Sequence, residues 1–66
     1  MEITVNDTTR QVEAGTTVAQ LLRELNMQPK YVAVERNLEL IPRREHESCI
    51  LQAGDRLEVV TLVGGG

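Results

Sequence analysis

One segment of the chain repeats its apolar residues at helical spacing: Val18, Leu21, Leu22 and Leu25 fall at i, i+3, i+4 and i+7, opposite Gln20, Arg23 and Glu24. A single amphipathic helix cannot bury its stripe alone, so it must lie on a sheet made from the rest of the chain. Its limits are readable. Thr17-Val18-Ala19-Gln20 fits a capping box in which Thr17 caps the helix and Gln20 reaches back. Asn26 suits a left-handed terminating position, and Pro29 prevents continuation.

Around this helix the pattern has period 2. Met1, Ile3 and Val5 alternate with Glu2 and Thr4, Asn6-Asp7 supplies a tight turn, and Thr9 to Glu13 returns with Val12 facing inward. After the helix, Tyr31 to Glu35 places Val32 and Val34 on one face; Arg36-Asn37-Leu38 turns the chain into a short strand, Glu39 to Ile41, which Pro42 stops. Arg43 to Ser48 reads as a loop or a single 3₁₀ turn, and Cys49, Ile50 and Leu51 as a cover for one end of the core. Ala53-Gly54-Asp55 turns the chain again. Arg56 to Val63 is the strongest strand pattern, with Leu57, Val59 and Thr61 on one face and Glu58, Val60 and Leu62 on the other.

The order ββαβββ, in which a helix leads to a strand roughly parallel with the first and a long final strand inserts centrally, describes an α+β fold of the ubiquitin-like β-grasp type. A mixed five-stranded sheet with one main helix on one face is the expectation. Residues 1–63 form the domain, and residues 64–66 a flexible glycine tail.

Composition narrows the function. A net charge of -3 gives no general attraction to phosphate backbones, and Tyr31 is the sole aromatic, so nucleic acid is not expected as a partner. No run approaches the roughly 20 apolar residues that span a bilayer, and no leader pattern precedes the first strand, which points to a cytoplasmic protein without membrane contact. With Cys49 as the single cysteine there is no internal disulfide, and no Cys/His cluster has zinc spacing, so no metal is predicted.

Catalytic groups are also scarce. A nucleophilic enzyme needs a nucleophile, an activating base and donors for developing charge. The single His46 and single Cys49 lie three apart in an irregular segment; Cys49 reads as packing and His46 as a solvated side chain. Gly15 and Gly54 sit in turns outside any phosphate-binding loop. Arg43-Arg44 is a weak candidate contact for an anionic partner surface, beside the reading as solvated loop charges.

The terminal Gly64-Gly65-Gly66 stands apart. At ordinary glycine usage of about 7%, three terminal glycines arise by chance in well under roughly 0.1% of chains. Glycine offers an extended, adaptable segment without side chains, suited to carrying a terminal carboxylate into a narrow active site of another protein. Adenylation of that carboxylate would create a mixed anhydride that a sulfur nucleophile can open, leaving a thiocarboxylate. All catalysis would then lie in the partner. Val60 and Leu62, on the face away from the helix, offer an apolar docking patch beside the tail, and Val63 is a further candidate partner contact.

The whole chain resembles the sulfur carrier proteins of thiamine biosynthesis (ThiS-like), related to the molybdopterin carriers and to ubiquitin. The resemblance rests on Val5-Asn6, Gly15-Thr16-Thr17-Val18 with Leu21-Leu22, Val32-Ala33-Val34 followed by Asn37, Ile41-Pro42-Arg43, Gly54-Asp55 and Gly65-Gly66. Asp7 and Leu38 depart from it, since the family often has the glycine of an Asn-Gly hairpin there. The resemblance implies that Gly66 is adenylated by a ubiquitin-activating-type enzyme (ThiF-like) that uses ATP, and then holds sulfur from a separate sulfur donor system. Gly64 and Gly65 would thread the partner sites, and thiazole synthase (ThiG-like) would receive the sulfur. No cofactor is implied on the chain itself. A ubiquitin-like protein modifier, a carrier for molybdopterin synthesis and a plain β-grasp interaction module remain as alternatives, because one fold serves many functions.

Overall fold

The computed structural model describes residues 1–62. Its elements are β1 (Glu2–Val5), β2 (Thr8–Gln11), α1 (Val18–Glu24), a 3₁₀ turn at Pro29–Tyr31, β3 (Val32–Arg36), β4 (Glu39–Ile41), a second 3₁₀ turn at Arg43–Glu45 and β5 (Arg56–Thr61). The five strands form one mixed sheet in the order β2-β1-β5-β3-β4. β5 is central, parallel to β1 and antiparallel to β3. This is the ubiquitin-like β-grasp.

One expectation of orientation is corrected. The strand that follows the helix, β3, runs antiparallel to β5 and hence opposite to β1; the strand parallel to β1 is β5. Hydrophobic periodicity assigns faces, and strand direction depends on how the intervening connection crosses the sheet, which the pattern does not encode.

The helix forms where its local chemistry directs it. Thr17 accepts from the Gln20 amide at 3.1 Å, and the Gln20 side chain accepts from the Thr17 amide at 2.9 Å, which completes the capping box. At the other end Asn26 adopts φ of 58°. The Asn26 amide donates to Arg23 O and the Met27 amide to Leu22 O, the paired bonds of a Schellman termination. Val18, Leu21 and Leu22 are buried against Ile3, Val5, Val34, Leu57 and Val59 of the sheet, while Leu25 is half-buried at the rim. Thr61 is exposed, although it shares the alternation of Leu57 and Val59.

Both hairpins place non-glycine residues at positive φ: Asn6 and Asp7 at 50° and 67°, Asn37 and Leu38 at 52° and 72°. Two consecutive left-handed residues define the type I′ turn that matches strand twist, so both turns keep that geometry without glycine. At Gly54, φ of 85° puts the backbone in a region that favours glycine, and its amide donates to Glu2 O at 2.7 Å.

The segment before β5 differs from expectation at two residues. Ile50 is 50% exposed and does not cover the core; it forms an isolated bridge with Thr17 that turns its side chain outward, while Leu51 is buried. His46 is buried at 3% exposure instead of solvated, with Nε2 3.0 Å from Ile41 O and its own carbonyl accepting from the Ala19 amide. Polar neighbours in sequence hide this, because the 3₁₀ turn at Arg43–Glu45 points them outward and His46 inward.

Candidate functional site

The candidate site is the carboxyl end of β5, and the residues upstream of it act as its foundation. Leu57 and Val59 anchor the strand in the core. On the β1 side, pairing covers only Thr4 with Arg56 and Val5 with Leu57, because the chain then turns away at Asn6. The Asn6 side chain extends that pairing: its Oδ1 accepts from the Val59 amide at 2.8 Å and its Nδ2 donates to Val59 O at 3.1 Å. A side-chain amide here serves as one more residue of strand.

The start of β5 is held in the same manner. Asn37 Oδ1 accepts from the Arg56 amide at 3.0 Å, and Asn37 Nδ2 donates to Asp55 Oδ1 at 3.1 Å. Through Oδ2, buried Asp55 also accepts from the Gln52 amide at 2.8 Å, and Arg36 lies 3.7 Å from that same oxygen. In the sequence Asn6, Asn37 and Asp55 read only as turn residues. The signal available was the repeated placement of Asn first in each two-residue turn, but the reach of each side chain into β5 depends on tertiary structure.

Beyond Val59 the surroundings change. Val60 and Thr61 pair with Ala33 and Val32 of β3, and the Leu62 amide donates to Tyr31 O at 2.8 Å. Val60, on the face away from the helix, is 56% exposed, and Leu62, just past the end of β5, is 47% exposed. Exposed Leu40 belongs to that face as well, because it pairs with Glu35, which stands opposite Glu58. Of the sequence-predicted site residues, Val60 and Leu62 are thus adjacent and accessible at the point where β5 ends. Val63, Gly64, Gly65 and Gly66 lie outside the described residues.

Beside Leu62 is a shallow groove of about 340 Å³ lined by Pro29, Lys30, Val32, Arg43 and Leu62. Lys30 Nζ rests 5.1 Å from the centre of the Tyr31 ring, a cation–π distance that restrains the ammonium. Of these two cations, the sequence marks Arg43 as a candidate contact and gives no sign of Lys30.

Other candidate chemistry does not assemble. The His46 ring is committed to Ile41 O through Nε2, and its Nδ1 is buried without a hydrogen-bond partner. Half-buried Cys49 packs against the core while its carbonyl accepts from the Val18 amide. Among the described residues, no group of three or more His, Cys, Asp or Glu side chains is placed to hold a metal ion. No helix among them is long and apolar enough to cross a membrane.

Comparison with known proteins bears on the whole length. Residues 1–66 match the model of the ThiS family. The sulfur carrier protein ThiS of Escherichia coli is 33% identical over 66 residues, covering all of both chains. A thiazole synthase of Paramagnetospirillum magneticum is 41% identical over the same 66 residues, and the chain spans only 20% of that protein's length. Among solved structures, the crystal structure of a thiamine biosynthesis protein (ThiS) from Geobacter metallireducens superposes with a TM-score of 0.85 at 33% identity, covering 100% of both chains.

Proposed function

Because the chain belongs to the ThiS family, we propose that it is a sulfur carrier in thiamine biosynthesis and that its working group is the carboxylate of Gly66. The observation that supports this most is the full-length match to that family in a chain whose sequence separates Gly64-Gly65-Gly66 by only two residues from its central strand, Arg56–Thr61. In this reading a ThiF-like enzyme binds ATP and the tail together. A Gly66 carboxylate oxygen attacks the α-phosphorus, pyrophosphate leaves, and the acyl carbon becomes activated. A sulfur nucleophile at the hydrosulfide level then displaces AMP and leaves the thiocarboxylate. The domain contributes recognition and a fixed point of departure for the tail, and its partners contribute the catalytic groups.

Thiazole synthase is the proposed acceptor. The reading draws on the thiazole synthases that contain a region similar to this chain within a longer polypeptide. A modifier of the ubiquitin type would share the Gly66 adenylate but end, through a conjugating cascade, as an isopeptide on a target lysine in place of a free thiocarboxylate. The products differ in mass.

Incubation with ATP, the cognate activating enzyme and a sulfur donor is expected to exchange one oxygen for sulfur, seen by intact-mass analysis. Deleting Gly66, or adding one residue after it, abolishes the exchange and leaves thermal unfolding unchanged, since chain ends carry little folding free energy. An unchanged exchange in the Gly66 deletion would overturn the assignment. A strain lacking the gene is expected to require added thiazole or thiamine and to keep its molybdoenzyme activity.

A further inference from the structure

The chain contains seven Lys and Arg residues within a net charge of -3. Five of them face a carboxylate: Arg10 pairs with Glu24, Arg23 with Glu47, Arg36 with Asp55, Arg44 with Glu45 and Arg56 with Asp7. The two that have no carboxylate partner among the described residues are Lys30 and Arg43. They are far apart in sequence, yet both line the groove beside Leu62. Among the described residues, an acidic chain thus leaves the cations without a carboxylate partner beside Leu62, just past the end of β5.

We propose that Lys30 and Arg43 form a cationic rim that docks against aspartate and glutamate side chains around the tail-accepting opening of thiazole synthase, an extension that rests on the function proposed above. Three features favour this occupant. The groove is walled by Pro29, Val32 and Leu62, so a carboxylate seated between the two cations is partly withdrawn from water, where charge attraction is stronger. Lys30 is already restrained over the Tyr31 ring, which lowers the ordering cost of pairing. Tyr31 O also holds the Leu62 amide, so one short segment fixes both the tail's point of departure and the nearby charge. A partner that engulfs the tail must bring its rim against these residues. Exposed charges of this kind act chiefly on encounter rate and orientation.

The test measures association of the full chain with its cognate thiazole synthase by stopped flow, at low and high salt. Lys30→Glu combined with Arg43→Glu is compared with the charge-matched control Arg10→Glu combined with Arg23→Glu, after thermal unfolding has shown both variants folded. At about 20 mM salt the groove variant is expected to associate at least about tenfold more slowly than the unaltered chain and the control less than about threefold, with the difference vanishing near 0.5 M salt. Equal slowing in both variants, or none in the groove variant, overturns the cationic rim while binding by the unaltered chain upholds the acceptor. Failure of the unaltered chain to bind thiazole synthase overturns both. Lys30→Ala with Arg43→Ala, which introduces no new charge, is expected to slow association about threefold or more under the same conditions.

Discussion

The two halves of β5 are built on opposite terms. From Arg56 to Val59 the strand is flanked on both sides, its apolar residues are in the core, and the side chains of Asn37 and Asn6 complete its backbone hydrogen bonds. At Val60 and Thr61, and at Leu62 just past its end, it is flanked by β3 and the 3₁₀ turn before it, the side chains are exposed, and the nearby cations have no carboxylate partner among the described residues. The first half spends its polar groups on folding. The second leaves both apolar surface and charge available to another molecule. A carrier needs this division, because a tail can be delivered to several partners only if its root is rigid and its surroundings are not already satisfied.

The largest expected effect lies in the first half. Replacing Asn6 with glycine keeps the positive φ accessible and removes two hydrogen bonds that the Val59 backbone has no other side chain to supply. A net hydrogen bond is worth about 1 kcal/mol and an unsatisfied buried group costs more, so Asn6→Gly should lose about 2 kcal/mol. For a domain of this size that is a large share of a total near 5 kcal/mol. Chemical denaturation reads it directly, and a loss below about 0.5 kcal/mol would mean that water replaces the side chain without penalty.

Much of this arrangement was legible in the sequence, and the parts that were not share a cause. The strands, the capped helix and the turns follow from local spacing and local chemistry, which is why Thr17 with Gln20 and Asn26 behave as their positions suggest. The exposure of Val60 and Leu62 follows from strand alternation alone. The direction of β3, the burial of His46 and the outward turn of Ile50 depend on how segments distant in sequence meet. So do the roles of Asn6 and Asp55, whose partners belong to other elements or are chosen by the shape of a loop. The pairing of Lys30 with Arg43 in one groove is of the same kind, because nothing in either neighbourhood of the sequence refers to the other.

A smaller effect, of opposite sign, is expected in the turn that clamps the start of β5. Leu38 has φ of 72° and is 90% exposed. A left-handed conformation costs an L-residue about 1–2 kcal/mol, while glycine accepts it and gives up about 0.5–1 kcal/mol through the unfolded state. The exposed side chain contributes little packing to offset that strain. Leu38→Gly should therefore stabilise the domain by somewhat under about 1 kcal/mol, which raises the melting temperature by a few degrees. A fall in melting temperature would show that the Leu38 side chain holds the turn in a way its exposure does not suggest.

The smallest effect on folding is expected in the second half of β5, and there it is the contrast between stability and binding that matters. Val60→Asp places a carboxylate on the open face beside Ala33, on a strand whose hydrogen bonds to β3 involve only backbone. Because more than half of Val60 is already in water, the change should cost little of the hydrophobic term, and surface substitutions of this kind fall within about 0.5 kcal/mol. Glu58 and Glu35 stand on the same face, so repulsion adds to the cost, though across a solvated surface it is screened by salt. Binding should respond differently: an apolar patch that docks must lose its water, and a carboxylate in that position is left desolvated without a partner. Val60→Asp should thus weaken association with the activating enzyme or with thiazole synthase by about tenfold or more while denaturation midpoints stay almost unchanged. Measuring both quantities on the same preparation makes the outcome decisive. If stability falls by several kcal/mol, the open face is not open in solution and the division within β5 is lost; if neither quantity moves, the apolar surface beside the tail is not a contact and the cationic groove would have to carry recognition alone.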